Sequence, residues 1–223
     1  MRELFLSTCQ PGIWLISVLE LVLIVLLMRK YMKEKSALTL CALGIGCGLF
    51  IDGFLISLGT VLPVAVVKMV SPARFIAHGM LVPLIFPICA YGLQAKGKVL
   101  KAVWGLTILV MAAGLAEALA TKLEVKELAG VVRAVAGEGT PGWAEAVSRV
   151  LSFGTVIPLM IAGVIVWVRT KRPELFLGGF LMFAFSALGP ATGNADLIFY
   201  ISMFGELLML FFFWLYTVKT AKK

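Results

Sequence analysis

Long apolar runs alternate with short polar connections along almost the whole chain. Several runs exceed the ~18 residues that a helix needs to cross a bilayer. The pattern predicts an all-α, polytopic membrane protein in which residues 1–223 form a single bundle of seven transmembrane helices. The predicted helices are Pro11–Met32, Ser36–Leu58, Ala73–Leu93, Val99–Ala120, Pro141–Val168, Leu175–Leu188 and Ala195–Thr217. Met1–Gln10 is predicted to be a short tail, and Gly59–Pro72 an outer connection.

The one long connection covers residues 121–140. Leu128, Val131, Val132 and Val135 recur there at helical spacing, which predicts a short amphipathic helix on the membrane surface. The sequence GEGTPG would end that helix. Thr140 is predicted to be the N-cap of the fifth spanning helix, because Pro141 follows it as a first-turn proline.

Charge decides the predicted orientation. A net charge of +8 could suit nucleic acid, but the basic residues follow loop boundaries and form no single face. Thirteen of the 20 lysines and arginines, including Lys222 and Lys223, lie in alternate connections and at the C-terminus. By the positive-inside rule these segments are cytoplasmic. We therefore expect a multi-pass cell-membrane protein with its N-terminus outside, with the lipid bilayer as partner and no nucleic acid.

Ionisable residues that lie deep inside the predicted helices are few, and none of the candidates lies in the inner half. At about 1.5 Å per residue, Glu20, Asp52, His78 and Glu206 are roughly 8 to 15 Å deep. A charge buried in a bilayer is costly and marks a functional site by default. The pattern predicts an outward-facing polar pocket for a ligand or ion, above an apolar plug. The predicted pocket residues are Glu20, Asp52, Arg74, His78 and Glu206, with Glu117 and Asp196 at the rim.

Each of these residues also has a structural interpretation. Glu20 and Asp52 could bond to a neighbouring helix, and His78 could be a packing residue. Arg74 could extend to the membrane interface as a snorkelling side chain. Of these residues, Glu206 is the strongest candidate for a functional role, because it lies in the middle of the membrane within the sequence MFGELLMLFFFW.

A short motif in the third helix resembles that of the microbial rhodopsins. Arg74, Phe75 and Pro83 match the family's arginine, aromatic and proline, and FSALGP at Phe185–Pro190 resembles its retinal wall. The family holds retinal on a lysine in helix 7, but this chain has no lysine there before Lys219. The position of the family's carboxylate counterion is occupied here by Ala77, which cannot pair with a protonated Schiff base. The resemblance therefore implies an opsin-like scaffold without covalent retinal.

The leading functional hypothesis is a non-enzymatic protein that binds or senses a small ligand or ion in this pocket. A proton- or cation-coupled small-solute transporter is the first alternative. Seven spans also fit a SWEET-type sugar transporter, and Pro83, Pro87 and Pro158 could supply the bends of broken transport helices. The SWEET Pro-Gln signature is missing.

An intramembrane metal-dependent hydrolase is the second alternative. A mixed metal site could combine His78 with Glu20, Asp52 or Glu206, because imidazole and carboxylate both bind divalent metals. The chain has one histidine, whereas ceramidase-like zinc hydrolases use several. It also lacks the GxGD and GxSG motifs of intramembrane proteases. The sequence assigns neither a metal, a ligand nor an oligomeric state.

Overall fold

The computed structural model describes the backbone of residues 2–220 and the side chains of residues 7–194 and 196–220. Lys222 and Lys223, which the charge pattern assigns to the cytoplasm, lie outside the described residues, as does the side chain of Arg2.

Seven helical segments of the described chain are long and apolar enough to cross a membrane, as the sequence predicted. The third of them is interrupted and contains three helices. The helices are α1 (Arg2–Glu34), α2 (Ala37–Leu58), α3 (Val64–Val70), α4 (Pro72–Leu81), α5 (Ile85–Gly92), α6 (Gly97–Ala120), α7 (Gly142–Thr170), α8 (Glu174–Ala191) and α9 (Ala195–Thr220).

The two largest differences from the predicted helix boundaries both involve proline. The predicted tail Met1–Gln10 is wrong, because α1 begins at Arg2 and contains Pro11. Pro11 removes one helical hydrogen bond, but the helix continues on both sides of it. The predicted connection Gly59–Pro72 contains the short helix α3. A 3₁₀ turn at Val82–Leu84, around Pro83, separates α4 from α5.

The helices form a closed ring. Neighbours along the chain pack together, and α9 contacts both α1 and α2, which confirms the expectation that the seventh helix can lie beside the first. The backbones of α4 and α6 touch directly. A Cβ placed on Gly79 would lie 2.5 Å from the carbonyl oxygen of Gly114. This contact fixes the helix that carries Arg74 and His78.

The connection between α6 and α7 is a β-hairpin, so the predicted amphipathic helix at residues 121–140 is wrong. Strands β1 (Leu123–Leu128) and β2 (Val131–Ala136) pair antiparallel, with Leu128 opposite Val131. Ala129 and Gly130 both have positive φ, at 52° and 75°. Positive φ at both central residues is typical of the two-residue hairpin turn that matches strand twist.

The hairpin covers one end of the bundle, which we call the hairpin end. The N–H of Val132 donates to the carbonyl of Gly59 at 3.1 Å, and Gln10 Nε2 donates to the carbonyl of Gly130 at 2.9 Å. Val131 is fully buried in an apolar cluster with residues of α1 and α9. The hairpin is therefore an integral part of the bundle.

Thr140 does not cap α7 with its side chain. Its Oγ1 instead accepts a hydrogen bond from the N–H of Lys122 at 3.2 Å, which closes the base of the hairpin. The N-cap position belongs to Pro141.

The half of the bundle away from the hairpin is filled by apolar side chains. Leu27, Ile45, Leu159, Leu175 and Phe213 have no exposed surface and belong to one continuous cluster. Between spanning helices such side chains stabilise the bundle by van der Waals packing, because lipid chains are as apolar as the side chains themselves. This core separates the polar groups near the hairpin from the opposite end.

Candidate functional site

An ion pair between α2 and α4 forms the centre of the polar region. Arg74 Nε donates to Asp52 Oδ1 at 2.9 Å, and Arg74 Nη1 donates to the carbonyl of Ala134 in β2 at 3.2 Å. Arg74 is only 4% exposed. A buried charge is tolerated when it is paired and hydrogen-bonded, as here. The pair therefore joins two spanning segments to the hairpin.

A polar cavity of about 290 Å³ surrounds this pair at the hairpin end. It lies between α2, α4, α6, α7 and β2. Its ionisable lining residues are Asp52, Arg74, His78, Glu117 and Arg133, and its hydroxyl groups come from Ser148 and Ser152. Three of the predicted pocket residues thus meet in one cavity, with the predicted rim residue Glu117.

Among the ionisable lining residues of this cavity, Arg133 is the one that the sequence prediction missed. It lies on β2, and its guanidinium carbon is 4.5 Å from the ring centroid of Phe199. Its Nε and Nη1 are buried and have no hydrogen-bond partner among the described residues. Burial away from water lowers the pKa of the guanidinium to about 10, and the nearby charge of Arg74 acts in the same direction. Arg133 is therefore still a cation at neutral pH.

A second, more apolar cavity of about 390 Å³ adjoins the first. The two cavities share His78 and Ser152 as lining residues. Among the described residues, Glu206 on α9 is the only one with a carboxyl group that lines this second cavity. Most of the other residues that line it are apolar, and they include Leu49, Val82, Ile85, Phe153, Val156, Met182, Phe183 and Met209.

The apolar cavity lies where α7 and α8 diverge. Away from the hairpin the two helices are in backbone contact, since a Cβ on Gly163 would lie 2.4 Å from the N atom of Phe176. Near the hairpin α8 instead approaches α9, where a Cβ on Gly189 would lie 2.9 Å from the carbonyl oxygen of Ile198. Phe153 and Phe183 line the cavity and are 58% and 38% exposed. The cavity therefore opens on the apolar outer surface of the bundle.

Glu20 belongs to neither cavity, although it was predicted as a pocket residue. It is 1% exposed, and its Oε2 has no hydrogen-bond partner among the described residues. That atom lies beside Gly53, 3.0 Å from the point where a Cβ would stand. The adjacent hydroxyl groups of Ser17 and Ser57 are 2.9 Å apart and bond to each other. Glu20 is thus enclosed between α1 and α2.

The two predicted rim residues differ in position. Glu117 is buried and lines the polar cavity, and its Oε1 accepts a hydrogen bond from Thr121 Oγ1 at 3.2 Å. Asp196 lines neither cavity. Its Oδ1 accepts a hydrogen bond from the N–H of Ala129 at 3.2 Å, so it fastens the hairpin turn to the start of α9.

Within the part of the chain that the structure describes, no three histidine, cysteine or acidic side chains are grouped so that they could hold a metal ion. In comparisons with known proteins, the chain matches no family model and is not significantly similar in sequence to any curated protein.

Proposed function

We propose that this protein binds or senses a small ligand in the polar cavity at the hairpin end, as an opsin-like seven-helix membrane protein without covalent retinal. The observation that carries this proposal is Arg133. Buried polar groups in folded proteins are normally hydrogen-bonded, and an exception calls for an explanation such as a ligand. Here the unpartnered donors belong to a cation in the wall of a cavity.

Binding in this proposal is non-covalent. None of the described residues that line the two cavities is a lysine that could form a Schiff base. The groups available for recognition are the side chains of Arg74, Arg133, Asp52 and Glu117, the imidazole of His78 and the serine hydroxyls. Such a set can orient one ligand by directed hydrogen bonds.

The hairpin end faces the outside in this proposal. The short connections at the opposite end carry most of the lysine and arginine residues, and such connections stay in the cytoplasm. A ligand in the polar cavity then originates outside the cell or in the outer half of the bilayer.

Coupled transport is the second candidate, and Glu20 and Glu206 favour it. Both are carboxyl groups buried within spanning helices, where such residues often carry protons or cations. Transport predicts that a compound which binds also crosses the membrane of proteoliposomes, and that Glu206→Gln slows its flux. Sensing predicts binding without flux.

Thermal unfolding of the purified protein with a small panel of probes tests the binding proposal. The panel contains sodium, acetate, phosphate and decanoate, because these represent a cation, two anions and an amphiphile. A ligand at a hundred times its Kd stabilises the folded state by about 2.7 kcal/mol. At least one probe should raise Tm, and Arg133→Gln should reduce that rise. Arg149→Gln, at an exposed pair with Glu145, is the matched control. If none of these probes raises Tm, the proposal is wrong.

A further inference from the structure

We infer that the ligand is a single-chain amphiphile with a carboxylate head group, drawn from the lipid bilayer. Its head binds Arg133 in the polar cavity, and its hydrocarbon chain lies in the apolar cavity. This inference rests on the proposed binding function and specifies its ligand.

The two cavities have the arrangement that such a molecule requires. One is lined by charges and the other mainly by hydrocarbon, and they adjoin at His78 and Ser152. A small hydrophilic ligand would leave the apolar cavity unused, whereas a plain hydrocarbon would leave Arg133 without a partner. A molecule with one polar end and one apolar chain uses both.

Arg133 selects an anionic head. Arg74 already donates Nε to Asp52 and Nη1 to Ala134, whereas Arg133 forms no salt bridge with any described residue. A carboxyl group such as that of Glu206 can become neutral by taking up a proton. An arginine side chain stays charged at neutral pH and presents a planar fork of donors that matches a carboxylate. The permanent positive charge of Arg133 therefore favours a negatively charged head group on the ligand.

The route of entry points to the bilayer as the source. The apolar cavity opens between α7 and α8, on a surface where Phe153 and Phe183 are exposed. In a spanning bundle this surface faces lipid chains. A hydrocarbon chain can enter there sideways without passing through water, and its head then reaches Arg133 past His78 and Ser152.

The experiment measures binding of radiolabelled decanoate, decanol, decylamine and acetate to the full chain in phosphatidylcholine nanodiscs. Scintillation proximity reports the protein-bound compound, with empty nanodiscs subtracted and each affinity referred to the free aqueous concentration. Decanoate should bind at least roughly tenfold more tightly than decanol, because the charge-assisted hydrogen bonds are lost with the alcohol. Octanoate should bind more weakly than decanoate by about fourfold for each methylene removed.

Two variants locate the two ends of the ligand. Arg133→Gln should weaken decanoate binding by about tenfold and leave decanol unchanged. Ser186→Phe fills the apolar cavity and should weaken decanoate but not acetate. Arg149→Gln and Leu188→Phe are the matched controls, because Arg149 pairs with Glu145 on the surface and Leu188 is 53% exposed and lines neither cavity.

Each contrary result has a distinct meaning. Tighter binding of decylamine than of decanoate would overturn the inference in favour of a cationic head at Glu206. Equal affinities for acetate and decanoate would overturn the role of the apolar cavity but leave the proposed binding function intact. Equal affinities for decanoate and decanol in the unmodified protein would overturn the role of Arg133, whether or not its variant folds. If no compound binds and no probe raises Tm, both proposals are wrong.

Discussion

Arg74 and Asp52 form an ion pair across 2.9 Å, although they lie 22 positions apart in the sequence. The same guanidinium also bonds to the carbonyl of Ala134. One side chain thus joins α2, α4 and the hairpin. The pair is mostly buried, with its two side chains 5% and 16% exposed. It therefore defines the wall of the polar cavity and stabilises the hairpin end.

Removal of one partner should destabilise the protein strongly. Arg74→Ala leaves Asp52 without its salt-bridge partner and should cost about 3–5 kcal/mol. Arg74→Ala combined with Asp52→Asn should cost less than the sum of these two single changes, because the two residues interact directly. Arg149→Ala, at an exposed pair, should cost less than about 1 kcal/mol. The measurement is unfolding in detergent, and additive costs would show that the pair is unimportant.

The contact between α4 and α6 should not tolerate a methyl group. In Gly114→Ala the new Cβ would lie 2.3 Å from the carbonyl oxygen of Gly79, so one helix has to shift. The expected cost is about 1–3 kcal/mol. Gly105→Ala on the same helix is the control, because its Cβ position has no neighbour within 4 Å beyond the adjacent residues and backbone of its own helix. Equal unfolding midpoints for the two variants would contradict this packing.

Glu20 should be replaceable by its uncharged isostere. Its Oε2 is buried without a hydrogen-bond partner among the described residues, and a charge there is costly. Glu20→Gln should therefore raise the unfolding midpoint at pH 8 or leave it unchanged. Glu127→Gln, on an exposed position of β1, is the control for removal of a carboxylate. A fall of several degrees for Glu20→Gln alone would indicate a partner that requires the charge.

The orientation can be tested with single cysteines on a background without the four native ones. Glu138→Cys lies exposed just after the hairpin, and Lys98→Cys lies exposed at the opposite end. A maleimide that cannot cross membranes should label Glu138→Cys in intact cells and label Lys98→Cys only after the cells are opened. The reverse pattern would place the hairpin in the cytoplasm.

The sequence predicted the spanning helices well, because apolar length alone identifies them. It also selected Asp52, Arg74 and His78, which share one cavity, because each is an ionisable residue in the outer half of a predicted spanning helix. Depth does not determine how a helix is rotated, so Glu20 was assigned to the pocket although it faces the contact between α1 and α2. The hairpin was missed because the apolar spacing in VVRAVA also fits a helix. The alternation in LEVKEL and the turn at Ala129 and Gly130 were the signals that favour strands.

The sequence prediction did not identify Arg133 as a cavity residue, because it did not identify the hairpin that carries it. On an amphipathic surface helix it would face water or lipid head groups, whereas on β2 it turns towards α9 and the polar cavity. Its importance depends on tertiary contacts with Phe199 and on the absence of a hydrogen-bond partner among the described residues. Neither feature can be obtained from the order of residues along the chain.

His78 offers the most direct test of the central claim, which is that a ligand binds at the hairpin end. It is the single histidine of the chain and lines both cavities. Protein labelled with ¹⁵N-histidine and purified through a tag without histidine therefore gives the nitrogen signals of one imidazole ring. Decanoate at about its Kd for the unmodified protein should shift these signals in the unmodified protein and in Arg149→Gln, and shift them much less in Arg133→Gln at the same concentration. Signals that stay unchanged with decanoate, acetate, phosphate and sodium would contradict a binding site at this end of the bundle.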